Sequence, residues 1–149
     1  MKLRIYLDTS VFSAYFDDRA PDRRVQTEEF WTRIAAFEAS TSELAKDELE
    51  KTPDPQRRAK LLQLLNKLSI HPITEEITEL ARRYVRAGVF TPIMLNDAVH
   101  VAAAVLTRQD ILVSWNFRHM VNRVRRAKVT EVNISVGLPS IEIIAPPEI

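Results

Sequence analysis

Five short strand-like runs punctuate this chain, with helical segments between them. The runs are LRIYLD (3–8), FEAST (37–41), SIHPIT (69–74), DILVSW (110–115) and a last one near IEIIAP (141–146). The first is followed by a helix over TSVFSAYF, for which Thr9 or Ser10 is the cap. A polar link, DDRAPDRR, leads to an amphipathic helix over VQTEEFWTRIAAF. After the second run come a helix over SELAKDELEK, a break at TPDP and a Leu-rich helix at 56–68. The third run precedes EEITELARRYVRAG, a helix that Gly88 ends. A further helix follows Pro92, and a basic helix, RHMVNRVRRAKV, follows the fourth run. Strands interleaved with helices imply a mostly parallel sheet covered on both faces, so the expected fold is a three-layer α/β/α sandwich with 4–5 strands. In such open sheets ligands bind beyond the carboxyl ends of the strands, which is where chemistry is to be sought.

At 149 residues, 46% of them apolar, the chain is expected to form one domain spanning 1–149. With no cysteine, disulfides and thiolate metal sites are excluded. Only two glycines occur, Gly88 and Gly137, so no glycine-rich phosphate loop or dinucleotide fingerprint is present. The start, MKLRIYLDTS, alternates rather than forming a long apolar run, so no signal peptide or membrane segment is expected, and the cytoplasm is the expected location. The net charge of +1 says little, but no acid lies between Asp110 and Glu131, while Arg118, Arg123, Arg125, Arg126 and Lys128 do. That local excess is either a solvated helix face or a surface that meets phosphates.

The stretch NDAVHVAAAVL is apolar enough for a helix packed on several sides, yet Asp97 stands at its head. Met94, Val101 and Ala104 share its helical face. A carboxylate aimed at a core is costly unless paired, hydrogen-bonded or bound to a metal; backbone capping is the ordinary alternative. Asp8 ends the first strand, where it either caps the next helix or contributes to a metal or phosphoryl site. Of the four acids in the helix at 42–51, Glu48 shares a face with Leu44 and Ala45 and is the one expected to point inward; Glu43 suits the helix dipole instead. At the end of the fourth strand, Ser114 and Asn116 alternate with Trp115 where the strand should open to solvent. An Asn there is either a turn former or a weak, neutral ligand. His100 reads as a packed, hydrogen-bonded core histidine that could also reach such a site.

Acids at a strand end, on a later helix and heading a buried helix suit a hard divalent cation. Mg²⁺ and Mn²⁺ prefer carboxylate oxygens and water, and need neither Cys nor His. Crowded carboxylates repel one another until a cation neutralises them.

IYLDTSVFSAYF, TSELAKDELEK, NDAVHVAAA and ILVSWNFRHM resemble, in order and approximate spacing, the motifs of PIN domains, a nuclease family that includes the VapC-type toxins of toxin–antitoxin pairs. The resemblance runs from about residue 3 to 120. It implies metal-dependent cleavage of RNA, with catalytic positions at Asp8, Glu48, Asp97 and Asn116 and Mg²⁺ or Mn²⁺ held directly by Asp8 and Asp97. The fourth position is often acidic in the family; Asn116 here lowers the site charge and bears on whether one or two ions bind. Thr9, Ser114, Arg118 and His119 are the expected substrate contacts, and the basic helix an RNA contact. The resemblance further implies a small antitoxin protein as partner and a homodimer, for which the apolar stripes at 26–37 and 56–68 are candidates. Two other functions fit less well. A non-catalytic RNA-binding module has no use for clustered negative charge, and an aspartyl-phosphate phosphatase built on Asp8 would carry an acid where Ser10 stands.

Overall fold

The computed structural model describes residues 1–149 and contains a five-stranded, all-parallel sheet of order β3-β2-β1-β4-β5. The strands are β1 (Arg4–Leu7), β2 (Glu38–Ser42), β3 (Ser69–His71), β4 (Ile111–Val113) and β5 (Glu142–Ile144). Seven helices connect them: α1 (Thr9–Ser13), α2 (Pro21–Thr32), α3 (Glu43–Glu50), α4 (Pro55–Leu64), α5 (Glu75–Arg86), α6 (Leu95–Leu106) and α7 (Arg123–Ser135). No helix is long and apolar enough to cross a membrane.

Strand alternation sorts the side chains into two apolar layers. Ile5, Leu7, Ile111 and Val113 point to one face, where they meet Val11 and Phe12 of α1, Phe30 and Trp31 of α2, Leu49 of α3 and Leu61 of α4. Tyr6 and Leu112 point to the other, against α5, α6 and Val129 of α7. Helix α6 is the most enclosed element, with every residue from Ala98 to Val105 buried. Its alanines allow the close approach to α5 that its apolar sequence implies. Helix α5 ends on Gly88, whose φ of +77° is a left-handed conformation that a Cβ would disfavour; Val89 N–H then returns to the Tyr84 carbonyl.

Three local expectations change. Helix α2 begins at Pro21, inside the stretch read as a link, because proline at a first helical turn costs no hydrogen bond. Helix α7 begins at Arg123 rather than Arg118: Asn122 caps it, accepting from Arg125 N–H, while its amide holds the carbonyls of Phe117 and Arg118 in a turn. The apolar stripes at 26–37 and 56–68 are spent on the core, since Phe30, Trp31, Leu61, Leu64 and Leu65 are all buried.

The strand order places a topological switch beside β1: the chain builds outward through β2 and β3, then returns to lay β4 on the opposite side. The crevice beyond the carboxyl ends of β1 and β4 is the place where such sheets bind ligands.

Candidate active site

Asp8 leaves β1 at that crevice and is only 3% exposed. It both caps a helix and faces β4. Oδ1 accepts from Ser10 N–H (3.1 Å) and Ser10 Oγ (2.5 Å), and Oδ2 accepts from Ser114 Oγ (2.7 Å). No Lys or Arg pairs with it. Burial pushes its carboxyl above the ordinary value and the negative charge of Asp97 adds to this, while His100 and the two serine hydroxyls pull the other way.

Glu48 is the inward acid of α3, as the helical face requires, and Glu43 is exposed in the first turn. Its Oε1 accepts from Thr9 Oγ1 (2.7 Å) and lies 2.8 Å from His100 Nε2. Burial works to raise its carboxyl, but the hydrogen bond and charge of His100, with help from Thr9 and Lys51, hold it below the ordinary range.

Asp97 sits in the first turn of α6 and caps no backbone group; Met94 is at the cap position. Its Oδ2 lies 2.8 Å from His119 Nδ1, and its Oδ1 accepts a long bond from Asn116 Nδ2 (3.4 Å). Asn116 does two jobs, since its Oδ1 also accepts from His119 N–H (2.9 Å) as a turn former would. Its own N–H donates to Ser114 Oγ (2.9 Å), so Asn116 connects the Asp97 branch to the Asp8 branch.

Ser114 departs from expectation. It is fully buried, and its hydroxyl supports Asp8 instead of opening to solvent. Thr9 likewise spends its hydroxyl proton on Glu48. Arg118 is exposed and His119 half-buried. In the basic helix, Arg125 is bound to the Val89 carbonyl and stacked over Phe90, and Arg126 bonds the Ile143 carbonyl (3.0 Å). Of the five cations only Arg118, Arg123 and Lys128 are exposed. His100 is buried and hydrogen-bonded as a core histidine should be, but its partner is Glu48, which makes it part of the site. The available signal was its spacing three residues beyond Asp97, on the same side of α6.

The four positions Asp8, Glu48, Asp97 and Asn116 thus gather at one sheet edge, yet serines, threonine and imidazoles connect them. No group of three or more His, Asp or Glu side chains is arranged to hold a metal ion. The donor chemistry nonetheless suits a hard cation: Asp8 is a buried carboxylate with no Lys or Arg partner, lying in the field of a second carboxylate. The largest surface cavity, about 450 Å³, lies elsewhere, lined by Tyr15, Phe16, Arg24 and Arg57 among others, and contains none of these residues.

Nothing among the curated proteins matches the chain significantly. Among solved structures, it resembles a toxin–antitoxin complex from Klebsiella pneumoniae at 18% identity and a TM-score of 0.59, over 77% of this chain and 88% of that one. It also resembles VapBC2 from Rickettsia felis bound to a DNA fragment from their promoter, at 17% identity and 0.59, over 96% and 98%. DNA-bound VapBC from Salmonella typhimurium is similar at 19% identity and 0.58, over 97% and 98%. At such identities the shared feature is the fold. Residues 5–120, most of the sequence and the whole stretch from β1 to the turn bearing His119, match the PIN domain model, and the chain belongs to the PIN-domain family.

Proposed function

We propose that this protein is a divalent-cation-dependent endoribonuclease, the toxin of a type II toxin–antitoxin pair, acting in the cytoplasm as one catalytic domain over residues 1–149. The observation that carries the reading is Asp8: a buried carboxylate at the switch point of a parallel sheet, with hydroxyl donors but no Lys or Arg to neutralise it. Asp8 and Asp97 would hold Mg²⁺ or Mn²⁺, which when bound stabilises charge on phosphodiester oxygens and acidifies water. Glu48 ligates the cation or positions the attacking water. Asn116 and His119 fix Asp97 from its solvent side. Exposed Arg118 and Arg123 meet the RNA phosphates, whose neutralisation supplies most non-specific affinity. Hydrolysis then needs no covalent enzyme intermediate. A small antitoxin would cover the acidic edge, offering a basic side chain to Asp8 and Asp97; a short reading frame beside this gene would support that partner.

The Asp97→Asn variant tests the assignment, assayed on RNA with Mg²⁺ or Mn²⁺ and with a chelator. Cleavage should fall by more than the roughly 100-fold that loss of an outer-shell partner costs, while the fold persists. Full cleavage by Asp97→Asn would overturn the assignment. Absence of both cleavage and Mn²⁺ binding at millimolar concentration would leave a non-catalytic RNA-binding module.

A further inference from the structure

The His100 imidazole belongs to none of the four positions used above, yet it is buried and both its nitrogens have partners. We propose that His100 is a positioning residue for Glu48, supported from behind by Tyr6 and Ser42, and that it leaves Oε2 as the single working oxygen of that carboxylate. The inference rests on the cation-dependent nuclease reading.

The hydrogen bonds behind Glu48 form a continuous series of short contacts. Glu48 is an ionised acceptor, so His100 Nε2 carries the proton between them (2.8 Å). The other ring nitrogen, Nδ1, lies 2.7 Å from the Tyr6 hydroxyl. Tyr6 is completely buried and stays protonated. Its oxygen in turn lies 2.7 Å from Ser42 Oγ. Ser42 occupies the cap position of α3 but its side chain caps nothing, which leaves its hydroxyl for Tyr6. An unbroken hydrogen-bonded chain therefore joins Ser42, Tyr6, His100 and Glu48. Such an orienting group behind a ligand-bearing side chain fixes the carboxylate geometry.

At Glu48 the chain ends asymmetrically. Oε1 receives two protein donors, Thr9 Oγ1 and His100 Nε2, whereas Oε2 receives none. A glutamate with a 29% exposed side chain would otherwise exchange its two oxygens and sample several rotamers. His100 and Thr9 remove that freedom and set Oε2 as the oxygen offered to a cation or water. A core histidine that only fills space would have no bearing on which oxygen is free.

The test compares Mn²⁺ affinity by calorimetry, and kcat and KM on an RNA oligonucleotide, across His100→Leu, His100→Gln and Tyr6→Phe, with and without Glu48→Gln. His100→Leu should weaken Mn²⁺ binding or kcat about 10- to 100-fold with KM little changed. His100→Gln, whose amide nitrogen can donate to Oε1, should recover most of the loss. In the Glu48→Gln background, His100→Leu should add nothing, because both act through one group. Wild-type affinity and turnover in His100→Leu, whatever its melting temperature, overturns the inference, as does an additive effect beside Glu48→Gln. Should His100→Leu fail to fold, Tyr6→Phe carries the test: it should lose in the same direction, and wild-type values again overturn the inference. A wild-type protein that neither binds Mn²⁺ nor cleaves removes the nuclease reading itself. An active wild type with indifferent His100 and Tyr6 variants removes this inference alone.

Discussion

Two carboxylate–imidazole pairs flank Asp8, both at 2.8 Å, and they differ in what stands behind the imidazole. His100 is 4% exposed, is carried by the most enclosed helix of the fold and has Tyr6 on its far nitrogen. His119 is 32% exposed, is carried by the turn before α7, and its Nε2 has no protein partner. The same two side-chain types therefore serve different ends. In the first pair every imidazole atom that can bond is committed, so the pair can hold but cannot exchange. In the second a free nitrogen faces outward, able to accept from water or, when protonated, to donate to a phosphate.

The largest effect should come from the residue between the two pairs. Asp8→Asn should abolish cleavage while raising the stability of the metal-free protein at neutral pH. The sign follows from its raised carboxyl: the fold favours protonated Asp8, so the penalty is absent below the ordinary value of 3.8 and grows as pH rises through the higher folded value. The gain from Asp8→Asn, read from thermal melts, should therefore shrink as pH falls toward 3.8. A variant no more stable than wild type at pH 7 would mean that Asp8 is not an uncompensated buried charge.

The contrast between the imidazoles is sharpened next by His119→Ala. Cleavage should drop about 10- to 100-fold, as expected for a group oriented on a ligand. Stability should move by less than about 0.5 kcal/mol, because the side chain is half open and lies on a turn. His100→Leu should lower the melting temperature as well, since it strips a partner from the buried Tyr6 hydroxyl. Equal stability losses in the two variants would erase the distinction.

The smallest effects should lie outside both pairs, on the basic surface. Arg118→Ala and Arg123→Ala should each weaken RNA binding and reduce the slope of log affinity against log salt by about 0.7 for single strands. Arg126→Ala should instead act on stability, because its guanidinium holds the Ile143 carbonyl of β5. A salt slope that responds to Arg126 as strongly as to Arg118 would make the whole helix an RNA surface.

The fold was legible because strand and helix periods alternate and only parallel pairing accommodates that order. The three acids were legible for different reasons: Asp8 from a strand end, Asp97 from its apolar face, and Glu48 from its place beside Leu44 and Ala45. What the residues could not show was the company they keep. His100 and Glu48 lie 52 positions apart and meet only through the packing of α6 near α3. Ser114 looked solvent-facing because strand ends usually are, but the neighbouring β1 delivers a carboxylate to it. The start of α7 was misplaced because Asn122 competes for the backbone with side-chain bonds that periodicity does not register.

The position of β1 between β2 and β4 has a consequence for timing. A central parallel strand is among the last parts of a fold to open, so the Asp8 wall of the site moves only with the global structure. The opposite wall, Asn116 to His119, hangs on turns that can open locally while the sheet stays closed. Whatever docks on the crevice can thus reshape one side at little cost, while the Asp8 carboxylate waits in a fixed place.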